Sequence, residues 1–206
     1  SRKRKLPEFP TVVGVVTSQD AAVWLDIQRT ILSRFPLVEL VLAHTPVQGD
    51  EAAVSIAGAI SILSSCSEID VIIIARGGGS PEDLWPFNEE VVARAIFASP
   101  VPVVSGVGHE TDWSISDLVA DIRASTPTMA AMMVTPDSGE LMNSINFMAR
   151  TMGFSVQSGI TGSVNELKAK VAIMRSNMPD LSMVRVRVDE LADRVLLGSR
   201  RDISRA

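Results

Sequence analysis

The stretch Asp70-Val71-Ile72-Ile73-Ile74-Ala75-Arg76-Gly77-Gly78-Gly79-Ser80 decides the fold. Its first half is a continuous apolar run, mostly β-branched, with no polar alternation. A half-exposed strand would alternate, so this run belongs to a strand buried on both faces, the habit of a parallel sheet covered by helices. The run then stops in a cation, Arg76, and three glycines, which take the chain out of the sheet.

The same rhythm recurs on both sides. Thr11-Val12-Val13-Gly14-Val15-Val16 reads as a first strand, and Asp20 to Phe35 follows with helical spacing until Pro36 stops it. Val38 to Val47 reads as a second strand, and Glu51 to Ser64 as a helix with Ile56, Ile60 and Leu63 on one face. After the deciding stretch, Glu82 to Ala98 reads as a third helix, Val101 to Val107 as a fourth strand and Ser114 to Ala120 as a further helix. Residues 11–136 are therefore expected to form an α/β domain, a parallel Rossmann-like sheet with helices on both faces. From Asp137 the strand-like runs cease. Apolar residues recur at steps of four and three from Ile160 through Val164, Leu167, Val171, Met174, Met178 and Leu181, then at Val184, Val188, Leu191 and Val195. Residues 137–206 are expected to be a helical, coiled-coil-like arm, with Pro179-Asp180 turning one helix into the next and Gly153, Gly159 and Gly162 weakening the first. Two helices packed on a core and an extended arm that binds a partner both satisfy this pattern.

Composition narrows the class. With 46% hydrophobic residues in 206, the chain can build a core. Its single cysteine, Cys66, allows no internal disulfide, which fits a reducing compartment. No stretch approaches the roughly 20 apolar residues of a membrane span, and a cytoplasmic location is expected. The net charge of −5 argues against nucleic-acid binding by the whole surface, since phosphate contacts need Lys and Arg. A local patch is still allowed. The run Arg2-Lys3-Arg4-Lys5 is one, or else a solvated charge run at the end of the chain.

Each expected strand ends in something polar. The four endings are Thr17-Ser18, Thr45 to Asp50, Arg76 to Ser80, and Gly106-Val107-Gly108-His109-Glu110-Thr111-Asp112. In a parallel sheet all four project from one edge, where ligands of such sheets bind. Gly77, Gly78, Gly79 and Ser80 form a loop whose N–H groups can cradle phosphate, by positive φ or close approach of the backbone, although the loop is neither a P-loop nor a dinucleotide fingerprint; it can equally be a tight turn. Arg76 suits bidentate phosphate contact, or a structural ion pair. His109 is suited to proton transfer near neutral pH. Asp112 can orient that ring, bind a metal, or cap a helix beginning near Trp113. His44, inside the second strand, reads as structural or as support for the site. Asp26, in the first turns of a helix, reads on its own as a solvent-exposed carboxylate.

The segments Ala75 to Asn88 and Val103 to Asp112 closely resemble the large subunit of bacterial exodeoxyribonuclease VII, as do Val47-Gln48-Gly49-Asp50 and Asp117 to Thr128. The likeness runs from about residue 3 to 137. It implies a nuclease that degrades single-stranded DNA from both ends to products with 5′-phosphates. It also implies a chain whose residues 1–10 link to a preceding OB-fold, and a helical arm that binds several small subunits. Carried over by position, it implies Asp26, Arg76, His109 and Asp112 as catalytic residues; Thr17, Ser18 and the glycine loop, at the same sheet edge, are the expected phosphate contacts. Family members include some that use magnesium and some that work without divalent metal; Asp26 and Asp112 with His109 permit a magnesium site and do not require one. In the first loop this chain reads Thr17-Ser18-Gln19-Asp20, where many family members carry Thr-Gly. Two other readings stand beside the nuclease: a non-catalytic phosphate- or nucleotide-binding domain, which needs the glycine loop and Arg76 alone, and a subunit-assembly module whose working part is the arm.

Overall fold

The computed structural model describes residues 3–20, 22–78, 81–109, 111–178 and 180–203. It divides into two compact units, Ser1–Ile145 and Asn146–Ala206. The first is the α/β unit. Its strands β1 (Val12–Thr17), β2 (Glu39–His44), β3 (Val71–Ala75), β4 (Val103–Gly106) and β5 (Ile122–Arg123) form one sheet in the order β2-β1-β3-β4-β5. Every pairing is parallel, with Val13 beside Val71 and Ile72 beside Val103. The chain steps outward from β1 to β2 and then returns to the other side of β1, so the topological switch point lies between β1 and β3.

The helices follow from this sheet. α1 (Ala22–Arg34) and α5 (Pro127–Val134) cover one face, where Val13, Val15, Ile73 and Val104 meet Val23, Ile27 and Ala130. α2 (Ala52–Ser65) and α3 (Glu90–Ala98) cover the other, where Val16, Ile72, Ile74 and Val103 meet Ile56, Ile60 and Ile96. Every residue of β3 is fully buried, as its unbroken apolar run requires. Each such Ile or Val removes enough apolar surface from water to contribute about 1.5–3 kcal/mol.

Three expectations are corrected. The helix expected over residues 82–98 is two elements, a 3-10 helix over Pro81–Asn88 and then α3. Pro86 is the reason: it has no N–H to give, and its ring collides with the carbonyl four residues back in an α-helix. The helix after β4 is α4 (Ile115–Val119), and its cap is Ser114, not Asp112. Ser114 Oγ accepts from Asp117 N, and the Asp117 carboxylate accepts from Ser114 N, a closed capping box. The expected ends of the second and fourth strands are also trimmed, to Glu39–His44 and Val103–Gly106.

The start of the chain is tied to the sheet. Arg4 donates from its backbone N (2.6 Å) and Nε (3.2 Å) to Asp121 Oδ1, and from Nη1 to the Ser99 carbonyl; Asp121 Oδ2 accepts from Val103 N (2.8 Å). Arg2, the other arginine of the basic run, lies outside the described residues.

α6 (Ser138–Ser176) runs without a break through Gly153, Gly159 and Gly162, around which a Cβ would meet nothing within 4 Å. None of its residues is buried. α7 (Leu181–Ile203) is preceded by Asp180, whose Oδ1 accepts from Ser182 N (3.0 Å) and Ser182 Oγ. These bonds, the hydroxyl's first, hold the Asp180 carboxyl below its ordinary pKa. Pro179, the expected turn residue, lies outside the described residues. No helix among them is long and apolar enough to cross a membrane.

Candidate active site

β1, β3 and β4 deliver their following loops to the same edge of the sheet, and α5 starts there. A cleft of about 160 Å³ opens between them, lined by Val23 and Asp26 of α1, Arg76, Gly77 and Gly78 after β3, Val107 and His109 after β4, and Ser125 to Thr128 at the start of α5. It straddles the switch point, where α/β sheets hold their ligands. Val23 and Asp26 are one helical turn apart, so packing Val23 against the sheet brings Asp26 to the same face.

Arg76 is the deepest charge in the site, 7% exposed. It continues β3 by one residue beyond the last ladder position. Its Nε donates to the Gly77 carbonyl (2.9 Å) and its Nη2 stands 4.0 Å from Asp83 Oδ2. Holding a guanidinium this far from water is costly without an anion nearby, and Asp83, a third exposed, is a partial one. Gly77 and Gly78 do not take positive φ; among the described residues only Gly49 does, at 94°. A Cβ on Gly77 would approach Val23 Cγ2 to 3.3 Å, whereas one on Gly78 would meet nothing. The two glycines keep the floor of the cleft open, and left-handed backbone is not their reason. Gly79 and Ser80 lie outside the described residues.

The His109 loop is held from behind. A Cβ on Gly108 would come within 2.1 Å of the Asp112 carbonyl, so no other residue fits that turn. Asp112 N donates to the His109 carbonyl (3.1 Å), and Arg123 Nη2 donates to the same oxygen (2.5 Å). Arg123 in turn lies 3.8 Å from Asp117 Oδ2 through its Nε and stacks on Trp113, 4.1 Å from the ring centroid. Asp117 is buried and fully bonded: Oδ1 accepts from Ser105 Oγ of β4 (2.7 Å), and Oδ2 from Ser114 N and Oγ (2.9 Å each). His109 is exposed and lines the cleft from a loop fixed by this network.

The other sequence candidates fall outside the cleft lining. Thr17 is buried, and its Oγ1 has no hydrogen-bond partner among the described residues. Ser18 is half-buried beside it. Asp112 is half-buried, its Oδ1 accepting from Thr111 Oγ1 (3.3 Å). His44 closes β2, and its Nδ1 accepts from Gln19 N (2.9 Å). Glu110 lies outside the described residues. Among those described, no three His, Cys, Asp or Glu side chains come together as metal ligands.

Sequence reasoning missed the fourth wall. Ser125-Thr126-Pro127-Thr128 begins α5, with Thr126 Oγ1 accepting from Met129 N (3.0 Å) and Pro127 in the first turn. Gly106 admits it: a Cβ there would meet Ala130 Cβ at 3.0 Å and the Thr126 carbonyl at 3.2 Å. Pro127 has no N–H and Met129 N is taken by the cap, so Thr128 N is the donor this helix start offers, and the helix dipole favours an anion there. A hydroxyl residue before proline was the signal for it.

The chain matches the profile of the family described as "Exonuclease VII, large subunit" over residues 1–206. It is similar to the exodeoxyribonuclease 7 large subunits of Pediococcus pentosaceus (58% identical over 134 residues, 65% of this chain and 30% of the relative) and Geobacillus kaustophilus (56% over 139 residues, 68% and 31%). That of Alkaliphilus metalliredigens is 47% identical over 175 residues, 85% of this chain and 42% of the relative. The chain thus spans between 30% and 42% of the length of these curated relatives. A fold with its cleft at the switch point, and a match along the entire chain, make this protein a member of the exonuclease VII large-subunit family.

Proposed function

We propose that the α/β unit hydrolyses phosphodiester bonds in single-stranded DNA, working from strand ends and leaving 5′-phosphates. The observation that carries the reading is a cleft that takes a buried arginine, an exposed histidine, a carboxylate and a helix start into its lining. That set answers what the chemistry requires: charge stabilisation at phosphorus and proton transfer on both sides of it.

Breaking the bond between phosphorus and the 3′ oxygen leaves a 5′-phosphate. Arg76, with the amides of the glycine loop and the Thr128 amide at the start of α5, holds the phosphate oxygens. Water adds its oxygen to phosphorus and gives its proton to the Asp26 carboxylate. The protonated His109 imidazole gives its proton to the departing 3′ oxygen. Asp112 keeps the loop turned so that His109 faces the cleft, through its N–H on the His109 carbonyl. Thr17 supports the first loop from beneath.

The apolar stripe of α6 and α7, exposed at Leu167, Met174, Leu181 and Leu191, supports the arm as the place where small subunits dock. A large subunit implies a small one. The lone cysteine supports work in the reducing cytoplasm.

The test is cleavage of an end-labelled single-stranded oligonucleotide by the chain, with a duplex control. Release of short products from the single strand alone, lost in His109→Ala, is the expected result. Intact binding with no cleavage under any condition, magnesium included, would instead favour a non-catalytic phosphate-binding domain.

A further inference from the structure

Trp113 stands 59% exposed, immediately before the Ser114 cap of α4. One face of its indole is covered by the Arg123 guanidinium at 4.1 Å. That guanidinium also donates to the His109 carbonyl, so the ring is a single side chain away from the loop carrying the proposed acid. Both neighbours are fixed: Ser114 by its capping box, Arg123 by buried Asp117. A large apolar ring held rigidly in water beside a cleft, backed by a cation, offers one flat face and a local positive charge. Unpaired bases recognise this chemistry, stacking on aromatic faces in a sequence-tolerant way while the backbone follows positive charge.

The molecule has one other strongly exposed tryptophan, Trp85, and its surroundings differ. It lines a cleft of about 520 Å³ with Asp50, Asp83 and Glu89, three carboxylates that repel a phosphate backbone. Trp24 is half-buried against the core. Trp113 alone combines an open ring, a cation and proximity to His109.

We propose that Trp113, backed by Arg123, is a base-stacking platform that holds an unpaired nucleotide next to the phosphate being cut. The inference rests on the nuclease reading and adds a physical source of single-strand preference, because a base inside a duplex has no free face to stack.

The test uses the full chain and oligo-dT. Trp113→Leu is expected to raise KM about 5–150-fold, the range that one lost base stack predicts, with kcat nearly unchanged. Trp113→Phe restores most of the affinity. Oligo-dT with an abasic site at the nucleotide next to the cleaved bond loses the same affinity on the wild type and nothing further on Trp113→Leu. Tryptophan emission, measured in His109→Ala so that the strand persists, is quenched by oligo-dT in proportion to binding, and less so when Trp113→Phe is added. At more than half exposed, this position tolerates substitution without unfolding. Unchanged KM and unchanged quenching in Trp113→Leu, with cleavage intact, would overturn the platform while leaving the nuclease reading standing. A wild-type chain that neither binds nor cleaves oligo-dT would overturn both.

Discussion

β3 and the middle of α6 are built from similar side chains and have opposite surroundings. Val71 to Ile74 are fully buried; Val164, Leu167, Val171 and Met174 are all exposed, Leu167 by 63%. Apolar spacing in both cases announces a face that prefers to leave water. It does not say what covers that face. In β3 the absence of polar alternation already requires cover on both sides, and helices of the same unit provide it. On α6 the heptad-like step marks a stripe, and stripes of that kind are as often completed by another chain as by their own.

The comparison breaks hardest on chemistry. If the α/β unit holds the reaction, His109→Ala and Arg76→Ala each lower single-strand cleavage by about 10²–10⁴-fold, the usual contribution of a positioned proton donor or charge. Activity near the wild-type level in either variant would remove the site from this cleft. It breaks next on stability. Ile73→Ala, in a packed strand, is expected to cost about 2–5 kcal/mol in urea unfolding, while Leu167→Ala, which leaves no cavity, stays within about 0.5 kcal/mol in the isolated chain. Equal losses would mean the stripe is already covered. A third variant probes the polar interior behind the site. Asp117→Asn keeps the volume but replaces an acceptor pair with one acceptor and a donor facing Ser105 and Ser114, and a loss of about 1–3 kcal/mol is expected. Cleavage should fall with it, because Arg123 loses its anion and the His109 loop its brace.

How much of this was readable depended on whether the cause was local. Strand β3 was legible because burial on both faces leaves a nearly unbroken β-branched run, and β1 and β4 through the valines that open them, although Gly14 interrupts the one and Ser105-Gly106 close the other. β5, two residues long, is too short to carry any period, and it exists through its pairing with β4. The start of α5 was legible in Thr126-Pro127 and was overlooked; the break at Pro86 was legible too. In the site, Arg76 and His109 stood out because strands end in few charged residues. Asp26 could not, since an acid on an exposed helix turn has no local mark, and only the register of α1 against the sheet brings it to the cleft. The brace of Asp117 and Arg123 was hidden for the same reason: its members lie on a helix and on a strand with no pattern of its own.

The smallest expected effect tests whether the second unit carries any local order of its own making. Asp180 caps α7 with bonds from Ser182 N and Oγ, and its carboxyl is held below the ordinary value by them. A depressed carboxylate stabilises the folded form above its unfolded pKa, and the gain is lost as pH falls through the lowered folded value. The amides of Ser182 to Val184 should therefore be protected from hydrogen exchange near neutral pH and lose that protection only in the acid range, below where free aspartate titrates. Asp180→Asn retains an acceptor and should keep the protection while abolishing its pH dependence; Asp180→Ala should lose it at every pH. Protection that is unchanged in Asp180→Ala would mean that the start of α7 is held by packing against a neighbour instead of by its cap, and the contrast between a covered unit and an uncovered arm would fail at that point.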